Sequence, residues 1–493
     1  MRRTTIPGAA ICAVLVVCLV GCAGGPLRRP PSLADRVGAV EVAYDGLPAT
    51  LEEYNRAVRE ICLEFAARPI EFPSRLLDAG ASVELAAMDI PLSEIEVHDP
   101  PSGLGEAGVP VVLGYDTEQT PFHPPEGLFV DATAIYDRSD GRPRLRFLSD
   151  GGPVQLAGRE YPVAFRPTAA GDHLKARAAR LAKSGFKSMI RPASAERSPR
   201  IYLLDPYDPD KTPLLMVHGL QSTPVTFAAL VNAVRSDPEL RARYQVWQFY
   251  YANGTPVLVN AASLRESLAA TLAQVDPARR HRATRDVVVV GHSMGGVISH
   301  TLVSDSGDRV WQSVFRVPPE ELEGDRETIR GLERVLRFER NPAVSRVIFL
   351  AAPHRGSPIA DSIVGSLGHA LARMPAMEES GFAELAKANP DRMTPGAAEF
   401  YAGGRFSAVR TLSAKSTALI ALSKLPIATP YHSVIGQTRE GPVESGSDGV
   451  VPYRSSHLDG ADSERIVRSG HGVIGNPEAI AEVMRILRLH ARP

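Results

Sequence analysis

The chain has 493 residues, 44% of them hydrophobic and 23% charged, which suits about two or three globular domains and excludes a disordered or fibrous protein. A formal net charge of −1 removes the electrostatic case for a nucleic-acid binder, which needs a basic patch or stripe. No repeat with a period of roughly 20–50 residues is visible, so a solenoid or propeller is not indicated.

The N-terminus carries an export pattern. Arg2 and Arg3 precede an unbroken apolar run, Ala9 to Val20, and small residues follow it. That order marks a secretory signal, and the run is short for a membrane-spanning helix. Leu19-Val20-Gly21-Cys22 resembles the bacterial lipobox. The resemblance implies removal of residues 1–21, lipid on Cys22, and attachment to a membrane of the bacterial cell envelope. With Ala23 next, it points to the outer membrane (periplasmic or surface side) rather than the inner one. A plain signal peptide cut nearby, or an uncleaved anchor, is the alternative. Cys12 and Cys18 fall in the signal, so Cys62 is the one thiol left and no internal disulfide can form. In a helical pattern with Tyr54, Val58 and Phe65, Cys62 reads as a small core residue.

Residues 22–45 read as anchor and tether, with Arg28-Arg-Pro-Pro-Ser32 as the linker. Over 46–199 an accessory region is expected. Apolar residues at helical spacing predict a helix from Leu51 to about Ala67. Short apolar or alternating runs then predict strands at Val109–Leu113, Gly127–Val130, Ala134–Tyr136, Leu145–Leu148 and Val163–Phe165, separated by Pro, Gly and Asp. Nothing in this β-rich part looks catalytic.

From about Arg200 to the C-terminus the rhythm becomes strand, helix, strand. Strands are predicted at Ile201–Leu204, Leu214–Val217, Gln245–Tyr250, Val287–Val290, Val347–Ala351 and Ser433–Ile435, and helices at Ala261–Leu272 and Pro477–Leu489. Near-continuous apolar strands alternating with helices predict an α/β domain over 200–493, its mainly parallel sheet covered by helices on both faces. Segments 305–343 and 360–430 break the rhythm and are candidate helical caps, an ordinary peripheral insertion being the alternative.

The chemistry lies in this second half. Gly291-His292-Ser293-Met294-Gly295 matches G-x-S-x-G, a pattern that alone recurs by chance. Here Asp286-Val-Val-Val-Val runs straight into it and a plausible helix follows, the strand–turn–helix that a nucleophile elbow requires. Upstream, Leu214-Leu-Met-Val-His218-Gly219-Leu220 is an apolar strand ending in His-Gly. With these motifs the chain resembles the α/β-hydrolases and, among them, bacterial lipases and esterases. The resemblance implies that Ser293 is a nucleophile and that the Leu220 and Met294 backbone N–H groups form an oxyanion hole. His218 reads as a structural histidine bracing its loop.

Acid and base should follow in that order. Ser447-Asp448-Gly449-Val450-Val451 lies after a predicted strand and resembles the superfamily's acid loop, so Asp448 is favoured over the loop carboxylates Asp459 and Asp462. Ser469-Gly470-His471-Gly472 sits between Arg465-Ile-Val and the helix start Asn476-Pro477-Glu478, where asparagine can cap and proline suits the first turn. His471 is therefore favoured as base over His457, which has no strand leading into it. In Pro353-His354-Arg355-Gly356-Ser357, His354 and Ser357 read as structural. No cofactor motif or metal-ligand cluster appears. The expected function is a serine hydrolase acting on a carboxylic ester or lipid. An acyltransferase or phospholipase with the same triad, or a catalytically silent envelope scaffold, are the rivals.

Overall fold

The computed structural model describes residues 31–84, 91–100, 105–117, 122–124, 127–149, 151–174, 176, 199–220, 222–358, 379–401 and 408–492. The segment expected to be an export signal, Cys22 and most of the expected linker lie outside them. Among the described residues no helix is long and apolar enough to cross a membrane.

The N-terminal half builds its own core. Helices Leu33–Asp45, Leu51–Ala67 and Phe72–Asp78 pack with a five-stranded sheet of β1 (Ser82–Glu84), β2 (Leu92–Val97), β3 (Val109–Tyr115), β4 (Leu128–Asp137) and β5 (Arg144–Leu148), ordered β1-β5-β4-β3-β2. A short hairpin of β6 (Val154–Leu156) and β7 (Arg159–Tyr161) follows. The helix over 51–67 falls where its periodicity puts it, burying Tyr54, Val58, Ile61, Cys62 and Phe65. Cys62 is fully buried, and burial pushes its thiol pKa up.

Three expectations need correction here. Residues 33–45, expected to continue the tether, form a helix started by a capping box: Asp35 N–H donates to the Ser32 side chain, and Ser32 N–H to the Asp35 carboxylate. The strands expected at 127–130 and 134–136 are one, β4, because Asp131, Ala132 and Thr133 continue its pairing with β3 without a turn. Val163–Phe165 makes only an isolated bridge, Val163 to Ala107.

The second half is organised by a seven-stranded sheet of β8 (Arg200–Leu203), β9 (Thr212–Val217), β10 (Tyr244–Tyr250), β11 (Val287–His292), β12 (Val344–Leu350), β13 (Tyr431–Gln437) and β14 (Ser463–Arg468). Their order is β14-β13-β12-β11-β9-β10-β8. Strands β9 to β14 pair in parallel, and edge strand β8 runs antiparallel to β10. The N-terminal sheet is antiparallel apart from β1 with β5, so the chain as a whole is mixed α/β.

Strand alternation divides the second core into two layers. Leu215, Val217, Val287 and Val289 face helices Val257–Val275 and Met294–His300, whereas Leu214, Met216, Val288 and Val290 face helices Ala228–Ser236 and Pro477–Ala491. Segment 305–343 joins the first layer through Val310, Trp311, Phe315, Ile329 and Leu336. Arg265 ties it to helix Val257–Val275 by donating to the Arg334 carbonyl. Of segment 360–430, residues 360–378 and 402–407 lie outside the described residues; Leu385, Met393, Ala397 and Leu419 of the remainder pack into the same layer.

Between β9 and β11 the winding reverses: the chain leaves β9 toward β10 on one side, then returns to β11 on the other. Loops at the carboxyl ends of these two strands therefore diverge and leave a crevice, the usual place for a site in a parallel sheet.

Candidate active site

The loops after β9, β11, β13 and β14 bring the sequence-predicted residues to that crevice. Strand β11 ends at His292, and Ser293 takes the turn into helix Met294–His300 with φ 55° and ψ −124°. Positive φ is costly for a residue with a Cβ, and such outliers gather at functional sites. Two elbow glycines are required sterically. A Cβ on Gly295 would sit 2.1 Å from the Val217 carbonyl oxygen, and one on Gly291 2.6 Å from Gly296 Cα. The Ser293 N–H donates to the Leu350 carbonyl (2.9 Å), which fixes the turn on β12.

His471 stands on the loop between β14 and helix Pro477–Ala491, 2.8 Å from Ser293 Oγ through Nε2 and 2.7 Å from Asp448 Oδ2 through Nδ1. Because the carboxylate only accepts, Nδ1 carries the proton and Nε2 is free to accept from the serine hydroxyl. Asp448 is buried, and its second oxygen accepts the Val450 and Val451 N–H groups at 2.8 and 2.7 Å. The acid is thus held on its own loop while pointing at the base. Asn476 caps the following helix by accepting from the Glu478 and Ala479 N–H groups, with Pro477 in the first turn as its sequence suggests.

The rivals lie elsewhere. His457 pairs with Glu464 (2.6 Å) and Asp459 (3.1 Å), and Asp462 faces Arg346 at 3.6 Å; none of these is hydrogen-bonded to Ser293 or His471. His218 is buried, donates from Nδ1 to the Gly219 carbonyl (2.9 Å) and stacks on Tyr251 at 4.2 Å. Burial lowers its pKa to about 4, so it is neutral at neutral pH. His354 is buried edge-on to Phe349, and Ser357 donates to the Val450 carbonyl, bracing the acid loop.

Gly219 brings the post-β9 loop against the serine: a Cβ there would lie 3.0 Å from Ser293 Cβ. Among the described residues, neither the Leu220 nor the Met294 N–H is taken by an intramolecular acceptor. A cavity of about 730 Å³ opens beside the start of helix Val257–Val275, lined by Thr255, Leu258, Leu332, Phe382, Tyr401 and Leu419. Its lining does not include Ser293, Asp448 or His471. Among the described residues no cluster of His, Cys, Asp and Glu could hold a metal ion.

One buried polar residue escapes motif reading. His292, the variable position of G-x-S-x-G, lies 3.0 Å through Nε2 from the His471 carbonyl oxygen. The signal that could find it is the period of two along β11, which puts residue 292 on the same face as Val288 and Val290, toward the final helix.

No family model matches the chain, and no curated protein matches it. Among solved structures it is similar to a Bacillus licheniformis lipase in its mature form (19% identity, TM-score 0.33, covering 58% of this chain and 97% of that one). A Staphylococcus hyicus lipase matches at 13% identity and TM-score 0.35, covering 58% and 97%. A lipase-esterase related protein from Clostridium acetobutylicum matches at 12% and 0.29, covering 59% and 100%. These neighbours are lipases and esterases, and at such identities and TM-scores they assign no activity to this chain.

Proposed function

We propose that the chain is a serine hydrolase of the α/β-hydrolase type that cleaves carboxylic esters through an acyl-enzyme on Ser293. The observation that carries this reading is the continuous line of hydrogen bonds Ser293–His471–Asp448, at 2.8 and 2.7 Å, assembled from three loops at one end of the sheet. A bracing role would not need a serine in strained backbone, a base with one free nitrogen and an acid buried behind it.

In the proposed reaction Ser293 Oγ bonds to the ester carbonyl carbon as its proton passes to His471 Nε2. Asp448 holds Nδ1–H, keeps the ring in the productive tautomer and stabilises the imidazolium. The carbonyl oxygen takes up negative charge, which the Leu220 and Met294 N–H groups receive. Collapse of the tetrahedral adduct breaks the ester C–O bond, and the alcohol leaves with the proton from Nε2. Water then gives a proton to His471, attacks the acyl-enzyme and releases the acid, restoring the serine. These steps draw only on the named groups and water.

Turnover of a panel of esters of graded acyl length, with wild type and Ser293→Ala side by side, tests the reading. Hydrolysis that disappears in a folded Ser293→Ala supports it; undiminished hydrolysis rejects it. Adding acceptor alcohols to the same panel separates water from an alcohol as the final acceptor.

A further inference from the structure

The geometry points to His292 as a positioning residue: its Nε2–H, donated to the His471 carbonyl, fixes the loop that presents the imidazole to Ser293. We infer this on top of the serine-hydrolase reading, since it concerns the same base.

Strand β11 supplies the placement. Its last residue, His292, pairs with Leu350 of β12, and pleat alternation turns the side chain toward the layer holding Val473 and Ile474. That layer contains the loop on which His471 stands. The acceptor is a main-chain carbonyl, so the bond exists only with the proton on Nε2. The contact is 3.0 Å, the two rings lie 5.4 Å apart, and His292 is only 7% exposed. Burial lowers the His292 pKa to about 4, so the ring stays a neutral, single-tautomer donor at neutral pH. Its Nδ1 has no partner among the described residues and faces Gly219, where a Cβ would come within 3.2 Å.

The base loop is tied on either side of His471, by the Ser469 N–H donated to the Gln437 carbonyl (3.3 Å) and by buried Val473 and Ile474, while His471 itself makes no other main-chain hydrogen bond among the described residues. His471 is flanked by Gly470 and Gly472, and its side chain is 23% exposed. Asp448 orients the ring about Nδ1 but does not fix the backbone that carries it. His292 supplies that second point from the residue beside the nucleophile, so the Ser293–His471 distance is set within one turn of chain. A displacement of about 1 Å at such a contact can cost on the order of 10²-fold in rate.

The test compares wild type with His292→Phe, which keeps a ring but no donor, and with His292→Gln, whose amide nitrogen reaches about as far as Nε2. The readouts are the second-order rate of labelling by a fluorophosphonate, and kcat and KM on one ester. In His292→Phe, kcat and labelling rate should both fall roughly 10- to 100-fold with KM unchanged, and His292→Gln should recover most of the loss. Should His292→Phe not fold, judged by tryptophan fluorescence, His292→Leu takes its place. Full-rate labelling of the donor-less variant overturns the inference, and so does equal slowing of the Phe and Gln variants, which would make packing rather than the hydrogen bond the cause. A folded wild type that takes no label instead overturns the underlying hydrolase reading.

Discussion

At the scale of single residues, the site is a set of groups each held by something other than its partner in the line. Ser293 is held by the elbow and the Leu350 carbonyl, and Asp448 by two N–H groups of its own loop. Rates should therefore respond to chemistry more than to folding. Ser293→Ala is expected to lower ester turnover by about 10⁴-fold or more while leaving the thermal midpoint nearly unchanged. Asp448→Asn should also lose about 10⁴-fold, because an amide that donates toward Nδ1 favours the wrong tautomer. A steady-state assay paired with a melting curve checks both, and a variant keeping more than a tenth of wild-type kcat contradicts its role. The three residues of the hydrogen-bonded line, Ser293, His471 and Asp448, can be singled out from sequence because each sits in a motif defined by its neighbours. For His292 the period of two along β11 gives only the face, since its partner is a backbone oxygen 179 positions away and no spacing encodes that.

At the scale of elements, Gly295 of the elbow leaves less room for a Cβ than any other described glycine position. Gly295→Ala would drive a Cβ into the carbonyls of Val217 and His218, at 2.1 and 2.4 Å. The Val217 backbone cannot retreat without disturbing its pairing with Gly291 between β9 and β11. The expected outcome is a loss of about 3 kcal/mol or more, together with the activity, read by urea unfolding followed through Trp247 and Trp311. Both tryptophans are buried in the second-half core, so the signal reports that core. A variant as stable and active as wild type would show that the elbow is looser than drawn. Elements with long valine or leucine runs are legible in advance, and β9, β11 and β12 fall within a few residues of expectation. Strand β2 is not: Leu-Ser-Glu-Ile-Glu-Val exposes its charges along one face and reads as loop until pairing with β3 is known. Helix Leu33–Asp45 is hidden by the proline-rich linker before it, although Ser32 and Asp35 are a cap signal in plain view.

At the scale of the whole molecule, buried neutral histidines make the fold sensitive to acid. Burial lowers His218, His292, His300 and His432 to about 4, and holds His354 well below its ordinary value. The unfolded chain binds protons at these rings below its ordinary value of about 6.5, and the folded chain does not. Their stabilisation is therefore complete above about pH 6.5 and declines as pH falls toward 4. For each fully enclosed ring the decline approaches about 1.4 kcal/mol per pH unit. Asp131 works the other way: burial raises it to about 6, so its contribution is complete below about 3.8 and lost as pH rises through 6. One carboxyl offsets one ring, and the histidines win. Asp286 adds to the acid loss below about pH 4, since hydrogen bonds from His490, Ser345 and Thr212 outweigh its burial and hold it below the usual range. The urea midpoint should fall between pH 7 and pH 4.5; a flat or rising midpoint contradicts this. We propose that the N-terminal pattern is an export signal with a lipid-bearing Cys22, and this has a second whole-molecule consequence. With a lipid on Cys22 the protein expressed in a bacterial host should partition into detergent, and Cys22→Ser should move it to the aqueous phase. Equal partitioning of the two would reject the anchor.

In the proposed reaction Ser293 forms a covalent acyl-enzyme with His471 as its base. Peptide mapping by mass spectrometry after fluorophosphonate treatment of the folded protein tests it most directly. One adduct per chain is expected, on Ser293, absent from Ser293→Ala and formed far more slowly in His471→Ala. An adduct on another residue, or none on folded wild type, would contradict it.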